Sequence, residues 1–330
     1  MSELKNKKVL VTGAGGFIGS HLTEALLERG ASVRAFIRYN SRNHWGYLEE
    51  LPSHKKSEIE VIAADLRDFQ AVSKSVKGMD IVFHLGALIG IPYSLNYPFD
   101  VVATNINGTL NILQASLDQS VSYTIHTSTS EVYGTAQYIP IDEKHPLQPQ
   151  SPYAASKVAA DKLAESFYRA YNLPVSILRP FNTFGPRQSL RAVIPTIATQ
   201  LLEGEKLLLG NLEPRRDFTY VADTVNGFIH LAERPKVEGE VFNLGTGKDI
   251  SVREMIELIS RTLGVEARVE VDAARTRGNQ LEVMQLLSDN SKAANILGWK
   301  PSFTLEEGIR RTVNWVKEQK GRFKTHLYNI

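Results

Sequence analysis

Short apolar runs at Val9-Leu10-Val11, Val33 to Ile37, Glu60 to Ala63, Ile81 to Phe83 and Ser122 to His126 are separated by stretches of helical periodicity, such as His21 to Arg29 and Asn107 to Asp118. Strands joined in parallel need a crossover of a dozen or more residues, usually a helix. Repeated strand-helix alternation therefore predicts an α/β fold: a Rossmann-type doubly wound parallel sheet, covered by helices on both faces, with ligands at the carboxyl ends of its strands. Val175 to Leu178 continues the alternation. After Arg179-Pro180 the pattern loosens into turn-rich sequence with helices near Ala192 to Glu203, Val252 to Leu263 and Leu305 to Lys317, which predicts a smaller α/β lobe. Because Val241 to Leu244 reads as a strand returning to the sheet, the expected division is interleaved: residues 1–180 plus about 218–248 for the sheet domain, and about 181–217 plus 249–330 for the lobe.

Composition narrows the partners. Lys and Arg (38) nearly balance Asp and Glu (36), and no basic block is interleaved with aromatics, which argues against nucleic acid. The first eight residues are polar and lack a signal-peptide core, and the longest apolar stretch, near Ile81 to Ile91, is broken by His84 and too short for a bilayer. No membrane association is expected, and the cytoplasm is the expected location. The absence of cysteine removes disulfides and thiolate chemistry, and scattered histidines leave no zinc site, so no metal is expected.

Gly13-Ala-Gly-Gly16-Phe17-Ile18-Gly19 lies between the first strand and a helix. Its spacing is GxxGxxG rather than GxGxxG. Glycines here let backbone approach a pyrophosphate, while the helix presents unpaired N–H groups and the positive end of its dipole. At the end of the second strand, where an acidic residue would take a free ribose 2′-hydroxyl, the chain has Arg38-Tyr-Asn-Ser-Arg42. Arginine suits a 2′-phosphate, which points to NADP, with NAD as the alternative. The sheet domain is thus expected to bind a dinucleotide.

Tyr153 and Lys157, in Ser151-Pro-Tyr-Ala-Ala-Ser-Lys157, are spaced to share one helix face. An ammonium beside a phenol favours phenolate, so the pair is expected to form a base with a lowered tyrosine pKa. In Thr127-Ser-Thr129-Ser130-Glu131, directly after a strand, an extended backbone would turn Thr129 and Glu131 to the same side.

Together the glycine loop, Asp65-Leu66, His84-Leu85-Gly-Ala87, Asn105 in Asn-Ile-Asn-Gly-Thr, and Tyr153-x-x-x-Lys157 resemble, in order and over nearly the whole chain, the extended short-chain dehydrogenase/reductases. Gly86 stands where alanine is commoner. The resemblance implies that Asp65 and Leu66 contact adenine. Leu85, Ala87, Asn105 and Thr127 would line the cofactor, and Lys157 would also bind the nicotinamide ribose. It further implies that Thr129 hydrogen-bonds the reacting sugar oxygen, and that Glu131 is the acid/base of a nucleotide-sugar dehydratase. A tightly held cofactor would be regenerated at each turnover. Asn182 and Arg187, in Arg179-Pro-Phe-Asn182-Thr-Phe-Gly-Pro-Arg187, with Asn211, Arg216 and Arg277, match positions that hold a sugar diphosphate. The helices at Asn107 to Asp118 and Tyr153 to Tyr171 resemble those through which family members form homodimers.

Where dehydratases commonly have Thr-Asp-Glu, this chain has Thr129-Ser130-Glu131, so a separate acid for the leaving hydroxyl is missing and Glu131 is expected to serve both steps. GDP-mannose 4,6-dehydratases are similar here, and also in Leu209-Gly-Asn211-Leu and Arg216-Asp217. UDP-glucuronate decarboxylases share the triplet. Arg38 to Gly46 with Ile89 to Ser94 resembles dehydratases of legionaminic-type acid pathways, implying GDP- or UDP-N-acetylglucosamine as substrate. The expected activity is therefore a sugar-nucleotide 4,6-dehydratase (a hydro-lyase). The alternatives are a UDP-glucuronate decarboxylase, a nucleotide-sugar 4-epimerase, or a non-catalytic dinucleotide-binding regulatory protein.

Overall fold

The computed structural model describes residues 3–190, 192–204, 206–234, 236–272, 275 and 282–319. In chain order the elements begin β1 (Lys8–Thr12), α1 (Phe17–Glu28), β2 (Ser32–Arg38), α2 (Ser53–Lys56), β3 (Ile59–Ala64), α3 (Phe69–Val76), β4 (Ile81–His84), α4 (Ile91–Asn96), α5 (Pro98–Val102), α6 (Gly108–Asp118) and β5 (Tyr123–Thr127). They continue α7 (Pro152–Tyr171), β6 (Val175–Pro180), β7 (Asn182–Phe184), α8 (Val193–Glu203), β8 (Lys206–Leu209), β9 (Arg215–Tyr220), α9 (Val221–Ala232) and β10 (Val241–Leu244). The last are β11 (Asp249–Ser251), α10 (Val252–Leu263), β12 (Arg268–Val271), β13 (Gln285–Leu286) and α11 (Leu305–Glu318).

Seven parallel strands form the central sheet in the order β10-β6-β5-β4-β1-β2-β3. The apolar runs are continuous because both faces are covered. Val9 and Val11 enter one core with Val33, Ala35 and Phe83, whereas Leu10 enters another with Phe36 and Val82, against α3 and α6. Strand order reverses between β1 and β4, where Thr12 pairs with His84, opening a crevice at the strands' carboxyl ends. β10 joins the sheet beside β6, as the Val241 to Leu244 run predicts. The remaining strands form two small sheets, β11-β9-β13 with β7 on β9, and β12-β8. Among the described residues no helix is long and apolar enough to cross a membrane.

Helix ends follow side-chain chemistry. The Ser151 hydroxyl accepts from Ala154 N at 3.1 Å and Pro152 opens α7, which stops at left-handed Asn172. Ser251 and Glu254 make a capping box for α10.

One buried carboxylate joins the small sheet to the loop after β10. Asp217 of β9 accepts from Thr246 N and Thr246 Oγ1, each at 2.7 Å, from Gly247 N at 2.9 Å and from Ser288 N at 3.3 Å. Burial pushes its pKa up, against these bonds. Asp217→Ala leaves buried donors without an acceptor and is predicted to cost roughly 3 kcal/mol of stability; urea unfolding measures it.

Candidate active site

The crevice between β1 and β4 is built around Thr12. Its hydroxyl oxygen accepts from Leu85 N (3.1 Å) and Gly86 N (3.0 Å), so its proton is left for His84 Nδ1, 2.8 Å away. His84 Nε2 then donates to Thr109 Oγ1 (3.1 Å), whose hydroxyl donates to Asn105 O (2.6 Å). This donor count assigns the neutral Nε2–H tautomer, and burial, with the charges of His126 and Lys157, pushes the His84 pKa well down. Gly13 has φ +70°, and a Cβ there would stand 3.0 Å from the Gly86 backbone. A Cβ at Gly86 itself would stand 2.7 Å from Leu66 Cδ1, so that side chain would have to shift to admit one.

α1 starts after Gly16 with no side-chain cap, so its first N–H groups point into the crevice. Buried Thr127 Oγ1 and Asn182 Oδ1 have no protein hydrogen-bond partner. The uncapped helix start and Thr127 fit a bound dinucleotide, whereas Asn182 belongs to the set expected at the sugar diphosphate.

The residues expected to carry chemistry meet beside this crevice. Thr129 and Tyr153 hydrogen-bond through their side chains, and the Glu131 charge is felt at the Tyr153 phenol. Thr129 and Glu131 are not neighbours on an extended strand, however. The chain turns into a 3₁₀ helix at Ser130–Tyr133, and the Thr129 hydroxyl caps it, accepting from Glu131 N at 3.3 Å. Ser130 is buried in that turn.

Lys157 Nζ donates to Thr127 O at 2.6 Å. The expectation that it lowers the Tyr153 pKa is not met. Burial pushes the phenol above its ordinary value, opposed by the Thr129 hydrogen bond and reinforced by the Glu131 and Asp161 charges. Burial likewise pushes Lys157 down to about 8, with Asp161 opposing. Burial dominates at both groups, and each is pushed towards its uncharged form.

The sequence profile of the GDP-mannose 4,6-dehydratases matches residues 10–312. The chain belongs to that family. Among relatives, the UDP-glucuronate 4-epimerase of Thermodesulfobacterium geofontis is 35% identical over 94% of this chain and 96% of its own. Mouse dTDP-D-glucose 4,6-dehydratase is 33% identical over 94% and 89%. Among solved structures, DesIV, a dTDP-glucose 4,6-dehydratase from Streptomyces venezuelae with NAD and TYD bound, superposes with a TM-score of 0.85 at 29% identity, covering 96% of this chain and 99% of that one. The family is one of NAD(P)-dependent nucleotide-sugar dehydratases and epimerases within the extended short-chain dehydrogenase/reductases, and this chain is such an enzyme rather than a non-catalytic sensor. When bound, the oxidised dinucleotide supplies a hydride acceptor and a positive charge. Gly13, Gly16 and Gly19, with Phe17 and Ile18 at the start of α1, and Leu85 and Ala87 after β4, border the crevice that would hold it.

Several expected ligand contacts have other partners. The Asn105 amide is spent on protein: Oδ1 accepts from Leu88 N (2.8 Å), and Nδ2 donates to Leu88 O (2.9 Å) and Ser156 Oγ (2.9 Å). It therefore braces the crevice wall against α7. Asp65 is gripped by Arg67 at 2.6 Å, whose hydrogen bonds hold the carboxyl below its usual range. Arg187, expected at the diphosphate, meets Glu24 of α1 at 3.1 Å and Glu50 at 3.7 Å, with its own residue at φ +67°. Asn211 Oδ1 accepts from Glu213 N (3.1 Å), shaping the turn between β8 and β9. Buried Arg216 donates to Arg215 O at 3.0 Å. Arg277 lies outside the described residues.

Sequence reasoning missed Thr12, Ser128, Tyr133, Asp161 and Asn243, all buried polar groups near the cluster. A signal existed for Asp161, a second charged residue four positions beyond Lys157 on an alanine-rich face. In the window from pH 8 to Lys157's unfolded value near 10.5, the unfolded chain holds a proton that the folded amine has released, so this group makes stability rise with pH. Stability measured for wild type minus Lys157→Met is predicted to shift towards wild type by about 2 kcal/mol between pH 8 and 10; urea titrations at each pH check this.

Proposed function

We propose that this enzyme is a nucleotide-sugar 4,6-dehydratase acting on GDP- or UDP-N-acetylglucosamine. The observation that carries the reading is the cluster of Thr129, Tyr153 and Glu131, with a carboxylate close enough to the phenol to raise its pKa. Tyr153 takes the proton from the sugar's C4 hydroxyl while Thr129 hydrogen-bonds the same oxygen. Once C4 is a ketone the C5 proton is acidic, and Glu131 removes it and returns it to the C6 oxygen as water leaves. The hydride taken from C4 is added back at C6 and the proton taken by Tyr153 is delivered to C5, which completes a 4-keto-6-deoxy sugar with no net redox change. Ser130 supplies no second acid, which supports Glu131 in both proton transfers. Epimerisation needs no such carboxylate. Decarboxylation of UDP-glucuronate is the reading to separate, because it shares the C4 oxidation and the Thr-Ser-Glu triplet.

Mass spectrometry after incubation with GDP- and UDP-linked N-acetylglucosamine, GDP-mannose and UDP-glucuronate is expected to show loss of one water; a product shortened by one carbon selects decarboxylation instead. Glu131→Gln is expected to keep bound cofactor but lose dehydration by at least about 100-fold, and wild-type turnover in that variant sinks the assignment.

NADP is the favoured cofactor. Arg38 is exposed at the end of β2, beside a turn in which Asn40 Nδ2 donates to His44 O (2.7 Å) and Asn40 Oδ1 accepts from Arg42 N (3.2 Å) and His44 N (3.0 Å). That turn follows Arg38 directly and carries Arg42 and His44, donors that would suit a 2′-phosphate. Arg38→Ala is predicted to weaken NADP binding about tenfold while leaving NAD nearly unchanged; equal losses in calorimetric titration refute the preference. Exposed Phe99, Val102, Leu110, Tyr168 and Tyr171, on α5, α6 and α7, support a homodimer through these helices. A cysteine-free chain of this kind suits the cytoplasm.

A further inference from the structure

Tyr153, Lys157 and Asp161 occupy successive i, i+4 steps on the buried face of α7. Asp161, fully buried, reaches across to the sheet. Its Oδ2 accepts from Ser128 Oγ at 2.9 Å and from Arg179 Nη2 and Nε at 2.8 and 3.1 Å. Its Oδ1 lies 3.3 Å from His126 Nε2, too poorly aligned for a strong hydrogen bond, so the Arg179 fork is the main grip. Arg179 Nη1 continues to Tyr133 Oη (3.0 Å), which donates to Asn243 Oδ1 (2.7 Å). A single carboxylate thus fastens the helix bearing Tyr153 to Ser128, which stands between the end of β5 and Thr129, and through Arg179 to the turn bearing Glu131.

The same carboxylate sets the charge around Lys157. The charged and titratable groups that interact with that amine are His84 from β4, His126 from β5 and Asp161 from its own helix; Arg179 from β6 acts on Asp161 and His126, and Glu131 acts on Tyr153. Both histidines are kept neutral by burial, His126 being pushed down to about 4. Asp161 is the anion in this group that favours ammonium at Lys157.

We propose that Asp161 is a positioning residue for the oxidation at the sugar's C4, holding Lys157 as an ammonium and fixing Tyr153 against Thr129 by tying α7 to the end of β5. This rests on Tyr153 and Lys157 performing that oxidation, a step common to dehydration, decarboxylation and epimerisation.

Two variants of the full-length holoenzyme separate the two roles. Asp161→Asn keeps the shape and removes the charge, whereas Ser128→Ala cuts the tie to β5 and keeps the charge. Turnover is followed across pH with whichever of GDP- or UDP-linked N-acetylglucosamine, GDP-mannose, UDP-glucuronate or dTDP-glucose the wild type converts. Independently, and without sugar, the Lys157 amine is titrated by pulse acylation with acetic anhydride and peptide mass spectrometry. Asp161→Asn is expected to lower kcat at least about tenfold with KM changed less than about threefold, and to move the Lys157 midpoint down by about one pH unit or more. Ser128→Ala is expected to lower kcat about threefold or more with the Lys157 midpoint unmoved. A fall in melting temperature alone, with wild-type kcat and an unshifted Lys157 midpoint, overturns the proposal and leaves Asp161 a folding residue. If Asp161→Asn does not fold, unchanged kcat in Ser128→Ala is decisive against it. Failure of wild type on every sugar nucleotide tells against the function above, while the acylation midpoint still decides the role of Asp161.

Discussion

The hydroxyl of Thr12 holds the junction on which the rest of the site depends. At the point where strand order reverses, it takes two backbone N–H groups from the chain leaving β4 and passes its own proton to His84. That draws the Leu85–Gly86 backbone close enough to Gly13 that no side chain fits between them. The crevice is narrow because a hydrogen-bond donor count closes it. Its other wall is braced by the Asn105 amide, which links the same segment to α7 and so to Tyr153 and Lys157.

The two ends of the reaction site are held differently. The crevice uses neutral hydrogen bonds and close backbone contact. The cluster of Thr129, Glu131 and Tyr153 lies beside a buried ionic core of Asp161 and Arg179, where burial opposes but the neighbouring donors and cation prevail, holding the Asp161 pKa down to about 2. Tyr153 and Lys157, in contrast, are both pushed by burial towards their uncharged forms. The folded chain by itself does not make a phenolate; it makes a dry pocket in which a nearby positive charge acts with little screening.

The sheet was legible from sequence because its runs are long enough, its helices separate them regularly, and both faces need apolar cover. The return of Val241 to Leu244 was legible for the same reason. Thr129, Glu131 and Tyr153 were expected as a group because two motifs point to one chemistry, and the fold does bring them together, although the geometry joining Thr129 to Glu131 is a capped 3₁₀ turn and not an alternating strand. Contacts that depend on distant partners were opaque. Nothing local to Arg187 announces Glu24 or Glu50, and nothing around Asn105 announces Leu88 and Ser156. A polar side chain with several possible partners is assigned only once the fold has chosen among them.

The place of β10 has a consequence for how such a chain is made and inherited. This edge strand of the main sheet follows β7, β8 and β9, so β6 gains its outer neighbour only after much of the small-sheet structure has been synthesised. Asp217 then couples that late strand's loop back to β9. Neither half is therefore a cassette that truncation or gene fusion can lift out whole.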